Sequence, residues 1–468
     1  MNKFRLNKIR FEEKDFETNE IQLVNPEHSS DSNYISLIVG NNGTGKSRVL
    51  SKIARFFVEQ IKESNQKPLF GSILEYNRAP EKIIAITNSI SDKFPMDESF
   101  RPFQNNTNNI YFRDFKYNYL GTRNRINSFS NRALMNRALD ILFENYSELD
   151  VSRNYRHIFD YLDYEPVLKL NYKVSSKLYN TFNRQIIPND FIDYLNNQND
   201  NTRFRRLTPE RIEELIGDKI NELCDFINSY HSGKRELLIN FSEKNISRIN
   251  ADNSRYENNV HSYNLIGILT KLDIIRQVEI KVYKKGGSEF NFNEASSGEA
   301  NILSTLIALI PLIVDNSLIL IDEPEISLHP LWQSQYIDLI NKIFSNFNGC
   351  HIIIASHSHF LVTDLLPEKS SVITLKNHKG IIKSESILEP TYGWSAEEIL
   401  YTVFNVKTVR NHFIESDLVD LLGLISEKSK NLNKIRELLQ SIKSLSITSN
   451  DPLNVVIEEA TAYLKEND

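Results

Sequence analysis

Four short runs hold the residues whose types and spacing can do chemistry. Gly40-Asn41-Asn42-Gly43-Thr44-Gly45-Lys46-Ser47 has the spacing G-x-x-x-x-G-K-[ST]. Backbone lacking Cβ atoms can wrap closely around phosphate oxygens and aim its N–H groups at them. Lys46 would then reach the β- and γ-phosphates, and the Ser47 hydroxyl would hold Mg2+. A second run, Ser317-Leu318-Ile319-Leu320-Ile321-Asp322-Glu323-Pro324, ends four apolar residues in paired carboxylates. Asp322 would join the magnesium shell and Glu323 would orient and deprotonate an attacking water. In the third, Glu294-Ala295-Ser296-Ser297-Gly298-Glu299, the Ser296-x-x-Glu299 spacing is a capping box, and a capped helix start with a free serine and glycine is also an anion site. The fourth, Ile352-Ile353-Ile354-Ala355-Ser356-His357, sets His357 just past an apolar run, where it would donate to the terminal phosphate of a bound nucleotide.

These groups must be delivered by elements that end where they begin. Tyr34 to Val39 is an apolar run stopping at a glycine, which predicts a buried strand. From Lys46 to about Lys62 the apolar residues Val49, Leu50, Ile53, Phe56, Phe57 and Ile61 recur at helical spacing. Strand, glycine loop and helix in that order place the phosphate loop where such chemistry needs it. Further strands are predicted at Lys82 to Thr87, Ser317 to Ile321 and His351 to Ala355, with helices at about Ser297 to Val314 and Pro330 to Phe347. The alternation implies an α/β fold with a largely parallel sheet. Residues 1–99 and 279–390 read as two lobes of one core. Between them, residues 100–278 turn rich in Asn, Arg, Tyr and Phe and read as a mainly helical insertion. Residues 391–468 read as a C-terminal helical region suited to docking a partner, with a helix start at Ser395-x-x-Glu398.

Composition narrows the class. The chain has 468 residues, 40% hydrophobic and 25% charged, with a net charge of -6. No apolar run is long enough to span a bilayer, and Met1 to Arg10 has no apolar leader segment, so a cytoplasmic protein with no membrane role is expected. Cys224 and Cys350 lie far apart without ligand spacing and read as reduced core thiols. The acidic balance argues against binding nucleic acid through the overall field. One local exception runs from Arg101 to Arg137: seven basic residues face one acid, Asp114, with Tyr111, Phe112, Phe115, Tyr117 and Tyr119 interleaved. Such a segment suits either a groove for DNA or a solvated helical face over core aromatics.

The four runs in that order, with Glu325-Ile326-Ser327-Leu328-His329-Pro330 after Glu323, resemble the ABC-type ATPase superfamily. Glu299, where transporter subunits usually carry glycine, directs the resemblance to the RecF-like and OLD-like branch. Short segments around Ile84 to Pro95, Tyr119 to Arg123 and Tyr392 to Leu400 are similar to bacterial antiphage ATPases, most of all the PtuA subunits of Septu and retron-associated systems. The resemblance implies an ABC-type P-loop ATPase head binding ATP with Mg2+. It also implies that Ser297, Gly298 and Glu299 of one subunit close over ATP held by the loop of another, so that a homodimer or larger assembly forms an ATP sandwich. It further implies a separate effector protein, in Septu an HNH-type nuclease; no nuclease site is readable in the chain itself. A RecF-like DNA-repair clamp and an ATP-stabilised scaffold with little turnover are the competing expectations. No Q-loop glutamine is identifiable near the end of the second core strand.

Overall fold

A computed structural model of the protein describes residues 3–13, 16–27, 32–62, 72–89, 91–96, 116–121, 131–145, 152–175, 185–197, 209–229, 234–242, 259–406, 412–427, 431–443 and 453–467, with isolated positions at 178, 181, 182 and 429. From the N-terminus, short strands β1 (Leu6–Arg10), β2 (Glu12–Glu13), β3 (Phe16–Thr18) and β4 (Ile21–Gln22) precede β5 (Tyr34–Val39) and helix α1 (Lys46–Lys62). Strands β6 (Ile73–Tyr76), β7 (Ile83–Thr87) and β8 (Tyr117–Gly121) follow. The middle of the chain carries α2 (Asn131–Glu144), α3 (Ser152–Tyr161), β9 (Tyr164–Val174), α4 (Pro188–Asn197), α5 (Pro209–Ile216), α6 (Ile220–Ser229), β10 (Lys234–Asn240), α7 (Asn259–Lys271), β11 (Ile275–Lys284) and β12 (Glu289–Asn291). Then come α8 (Ser297–Leu309), β13 (Leu318–Asp322), α9 (Pro330–Ile343), β14 (His351–Ser356), β15 (Ser370–His378) and β16 (Ile381–Ile387).

Among the described residues nine strands form the main sheet in the order β2-β3-β16-β15-β5-β14-β13-β7-β8, and the six from β15 to β8 are mutually parallel. Every residue of β5, β7, β13 and β14 is buried. Continuous Ile, Leu and Val rather than alternation is what a strand covered on both faces requires. Helix α1 supplies one cover: Val49, Leu50, Ile53, Ala54, Phe56 and Phe57 sit in one cluster with Ile83, Ala85, Leu318, Leu320, Ile353 and Ala355, alternate residues of β7, β13 and β14. Period 2 on the sheet meets period 3.6 on the helix.

Register then decides what stands at the edge. Ser356 pairs with Val39, Ala355 with Ile38 and with Asp322, and Asp322 also pairs with Thr87. Gly40, Glu323 and His357 are therefore the first residues beyond three adjacent strands, at the carboxyl end where open α/β sheets bind ligands.

The stretch expected to be mainly helical also carries strands. Its helices α2 to α7 share it with β9, β10 and β11, which join β12 in an antiparallel sheet of order β10-β9-β11-β12. The cause is period 2 in β9: Leu168, Leu170, Tyr172 and Val174 are buried while Glu165 and Lys173 are exposed. Tyr117 and Tyr119, expected as candidates for stacking on nucleic acid, are core residues of β8, 7% and 1% exposed. Arg132 and Arg137 donate to backbone carbonyls, the first to Gln277 and the second to Tyr119 and Gly121. Arg101, Arg113, Arg123 and Arg125 of that basic segment lie outside the described residues. Cys224 and Cys350 are buried free thiols.

Residues Met1–Trp394 form one compact unit and Ser395–Asp468 a second. The second comprises α10 (Ala396–Thr402), α11 (His412–Ser426), α12 (Leu432–Lys443) and α13 (Leu453–Asn467). Ser395 caps α10 by accepting the Glu398 N–H, and Leu421, Ile435, Leu439, Ile442, Leu453 and Ala460 fill a core between the last three helices. No helix among the described residues is long and apolar enough to cross a membrane.

Because Leu320 is fully buried at the centre of β13, Leu320→Ala should destabilise the first unit by about 2–5 kcal/mol through lost burial and the cavity left behind. Urea denaturation followed by tryptophan fluorescence should show the extrapolated unfolding free energy falling by that amount, through a lower midpoint at unchanged slope.

Candidate functional site

Beyond Val39 the chain wraps tightly. A Cβ on Gly40 would stand 2.5 Å from the Leu375 carbonyl oxygen, so only glycine lets the loop leave β5 beneath β15. Gly45, at φ +90°, packs against Phe16 and Ile382 as α1 begins. Asn41, Asn42, Gly43 and Thr44 complete the turn, which Thr44 closes by donating its hydroxyl to the Asn41 carbonyl at 2.8 Å. Lys46 is 4% exposed, and its ammonium folds back on the loop, donating to the Gly40 and Asn41 carbonyls at 2.8 and 3.1 Å. Those bonds hold the cation at the loop mouth until an anion competes for it.

The register that sets β13 beside β14 brings the other groups to Lys46. Its Nζ lies 2.7 Å from His357 Nε2, and the same ring nitrogen lies 3.5 Å from Glu323 Oε1. His357 Nδ1 also lies 3.2 Å from the Lys46 ammonium, so both ring nitrogens face the cation while Nε2 faces the Glu323 carboxylate as well. Burial pulls the Lys46 ammonium down to about 8, against the opposing pull of the Glu323, Glu325 and Asp322 carboxylates. The hydrogen bond with His357 holds Glu323 below the usual carboxylate range, with burial acting the other way.

Ser47 donates to Asp322 Oδ1 at 2.9 Å. Asp322 is 1% exposed, and burial raises it to about 7. The Ser47 bond opposes that rise, while the Glu323, Asp92 and Glu325 charges add to it. A buried carboxylate that prefers its proton, beside a hydroxyl oxygen, is a pair of hard donors short of positive charge. That suits Mg2+, which takes one or two protein oxygens and fills its remaining positions with phosphate and water. Among the described residues no group of three or more His, Cys, Asp or Glu converges as a metal cage.

Ser297, Gly298 and Glu299 start α8. Ser296 accepts the Glu299 N–H, and the Glu299 carboxylate accepts the Ser296 N–H at 2.8 Å. Glu299, expected at the nucleotide, thus has one carboxylate oxygen engaged by its own helix cap. Ser297 is exposed. A Cβ on Gly298 would stand 2.2 Å from the Ser327 carbonyl oxygen, so the helix start rests directly on the loop after Glu323. Within that loop Glu323 and Ser327 hold φ of 50° and 65°, an uncommon and costly conformation for residues with side chains.

Sequence reasoning passed over Glu325, whose Oε1 accepts the His357 N–H at 2.5 Å, and Asp92, whose carboxylate accepts from Tyr119 and Phe94 while its charge reaches Asp322. Glu325 was legible as a third carboxylate within four residues; Asp92 carried no signal. Where a Q-loop glutamine was sought, Asn88 follows β7 and donates to the Pro324 carbonyl at 3.3 Å.

A phosphate loop after a buried strand, paired carboxylates on a neighbouring parallel strand and a histidine beyond the strand between them define an ABC-type P-loop ATPase fold. Residues 14–362, about three quarters of the chain, match the family described as the AAA ATPase domain, and the chain belongs to that family and is an ATPase. It is 25% identical over 483 aligned residues to the "Retron Vc95 probable ATPase" of Vibrio cholerae serotype O1 biovar El Tor, covering 90% of this chain and 83% of that one. A shorter match, 29% over 130 residues, reaches protein ea59 of Escherichia phage lambda, covering 27% of this chain and 24% of that protein. Among solved structures, UvrA2 from Deinococcus radiodurans aligns with 83% of this chain and 37% of its own at 11% identity and a TM-score of 0.31. The fold assignment rests on strand order and site rather than on that superposition.

A raised Asp322 means that the folded state binds more protons than the unfolded chain between pH about 4 and about 7. Its contribution to stability is present at the acid end and is lost as pH rises through that window, by up to about 1.4 kcal/mol per pH unit. In nucleotide-free protein, Asp322→Asn should flatten this part of the stability–pH curve, measured as denaturation midpoints at half-unit steps.

Proposed function

We propose that this ATPase is the regulatory subunit of a bacterial antiphage defence complex, acting in the cytoplasm and controlling a separate effector of the HNH-nuclease type. The single observation that carries the reading is the likeness to the retron ATPase, which runs over nine tenths of this chain and most of that one. The motifs similar to PtuA subunits point the same way.

In this reading Gly40 to Gly45 wrap the phosphates, and Lys46 exchanges the Gly40 and Asn41 carbonyls for the β- and γ-phosphates. Ser47 and Asp322 would hold Mg2+, which when bound neutralises charge on the terminal phosphates. Glu323 accepts a proton from water as the water oxygen bonds to the γ-phosphorus and the bond to the bridging oxygen breaks, giving ADP and phosphate. His357 sits between Lys46 and Glu323, suited to orient the base and to donate to the γ-phosphate. The exposed Ser297 at the start of α8 favours a sandwich in which the α8 start of a second copy, Ser297 to Glu299, closes over the nucleotide, so that ATP holds a dimer or larger assembly together.

Glu323→Gln should retain ATP and stay assembled while turnover falls about 100- to 10,000-fold, whereas Lys46→Ala should lose nucleotide. Steady-state phosphate release with native mass measurement checks both. Affinity purification of Glu323→Gln protein from its host with ATP and Mg2+, followed by mass spectrometry, checks the complex. A stoichiometric nuclease partner supports the defence reading, and DNA recovered without a protein partner overturns it in favour of a repair clamp.

A further inference from the structure

His357 is held by groups to which neither the family match nor the sequence motifs assign a task. His357 lies in a short connection after β14, and a connection alone does not hold a ring to the tolerance that proton transfer needs. Two tethers tie this connection to the segment after Glu323. Glu325 Oε1 accepts the His357 N–H at 2.5 Å. On the next residue, Ser358 donates its hydroxyl to Gln333 Oε1 at 2.7 Å, and the same Gln333 amide donates through Nε2 to the Leu328 carbonyl at 3.0 Å. Ser358, 7% exposed, also accepts the Phe360 N–H at 3.3 Å, so its hydroxyl both fixes the following turn and reaches α9.

Two further observations distinguish this arrangement from ordinary loop packing. Glu325 Oε2 is buried with no hydrogen-bond partner among the described residues, a cost that a carboxylate present only for packing would avoid by turning to solvent. The segment it belongs to also carries left-handed backbone at Glu323 and Ser327, conformations that persist only where surrounding contacts over-determine them. With Glu323 turned this way, the backbone returns after Pro324 so that Glu323 and Glu325 both reach His357, one at the ring and one at the backbone.

We propose that Glu325 and Gln333 are positioning residues for ATP hydrolysis: together they clamp the Ser356–Phe360 connection to the Glu323–Leu328 segment and so set the His357 ring between Lys46 and Glu323. Neither touches the reacting atoms. The clamp rests on the reading of Glu323 and His357 given above and extends it to the residues that align them. Gln333 reports the alignment from α9, because its one amide spans both segments; its loss frees both at once. Glu325 reports it from the carboxylate side, and Gln in its place keeps an oxygen able to accept the His357 N–H.

The test is steady-state ATP hydrolysis by full-length wild type, His357→Ala, Glu325→Ala, Glu325→Gln, Gln333→Ala and the double variant Glu325→Ala/His357→Ala, each checked for nucleotide retention and thermal midpoint. Glu325→Ala and Gln333→Ala should each lower kcat about 10- to 100-fold, the usual cost of removing a group that orients a reacting one, with KM for ATP within about twofold. Glu325→Gln should recover most of the loss. The double variant should be no slower than His357→Ala alone, because residues acting through one group are not additive. Multiplying losses in the double variant, a change confined to KM, or full activity in both alanine variants would each overturn the clamp. Were Glu325→Ala unstable, Glu325→Gln and Gln333→Ala carry the test: Gln333→Ala with wild-type kcat overturns it. Wild type that turns over ATP and is unaffected by His357→Ala and Glu323→Gln would overturn the underlying site instead, a result distinguishable from failure of the clamp.

Discussion

Four adjacent parallel strands that bury every side chain impose the constraint on which the rest of this molecule depends. A sheet covered on both faces leaves no room for polar chemistry along its strands, so polar groups collect where strands end. The register of β5, β14 and β13 puts Gly40, His357 and Glu323 at one edge within a single residue of each other. Any slip of register would move one of the three along the strand axis by about 3.3 Å per residue. The apolar core and the proposed nucleotide site are therefore consequences of one pairing pattern.

Burial at that edge also sets the electrostatics. Lys46 and Asp322 are nearly sealed from solvent, and both are pushed toward their neutral forms, the ammonium down to about 8 and the carboxyl up to about 7. Neither charge is fully compensated by protein alone. Anionic phosphates at Lys46 and a divalent cation at Asp322 would supply what is missing, a physical reason for the proposed binding of nucleotide and Mg2+ together. His357, shared between Lys46 and Glu323, joins the phosphate side of the site to the carboxylate side.

Around this edge the segment Glu323–Leu328 meets three others. Gly298 rests on the Ser327 carbonyl, Glu325 takes the His357 N–H, and Gln333 spans Leu328 and Ser358. One six-residue stretch thus touches the start of α8, the connection after β14 and the start of α9. Its left-handed residues are intelligible as the backbone needed to present carboxylates to both sides of His357.

Much of this was legible from residues alone. The phosphate loop, the paired carboxylates, His357 and the capping box of Ser296 each carry a local signature, and the uninterrupted apolar runs announced buried parallel strands. Local chemistry writes such signals because glycine geometry, helix capping and two-sided burial constrain neighbours in sequence. The four-stranded antiparallel sheet threaded among helices α2 to α7 was written as period 2 in β9 yet masked by the helical stretches around it. The fate of Tyr117 and Tyr119 depended on whether β8 was the edge strand of a sheet. The roles of Glu325, Asp92 and Gln333 were decided by tertiary structure only, since each is defined by a partner 25 to 230 residues away in the chain. Sequence determined which atoms could bind phosphate and move a proton; the register of the parallel sheet decided which of them meet, because hydrogen bonding between distant strands leaves no local pattern to read.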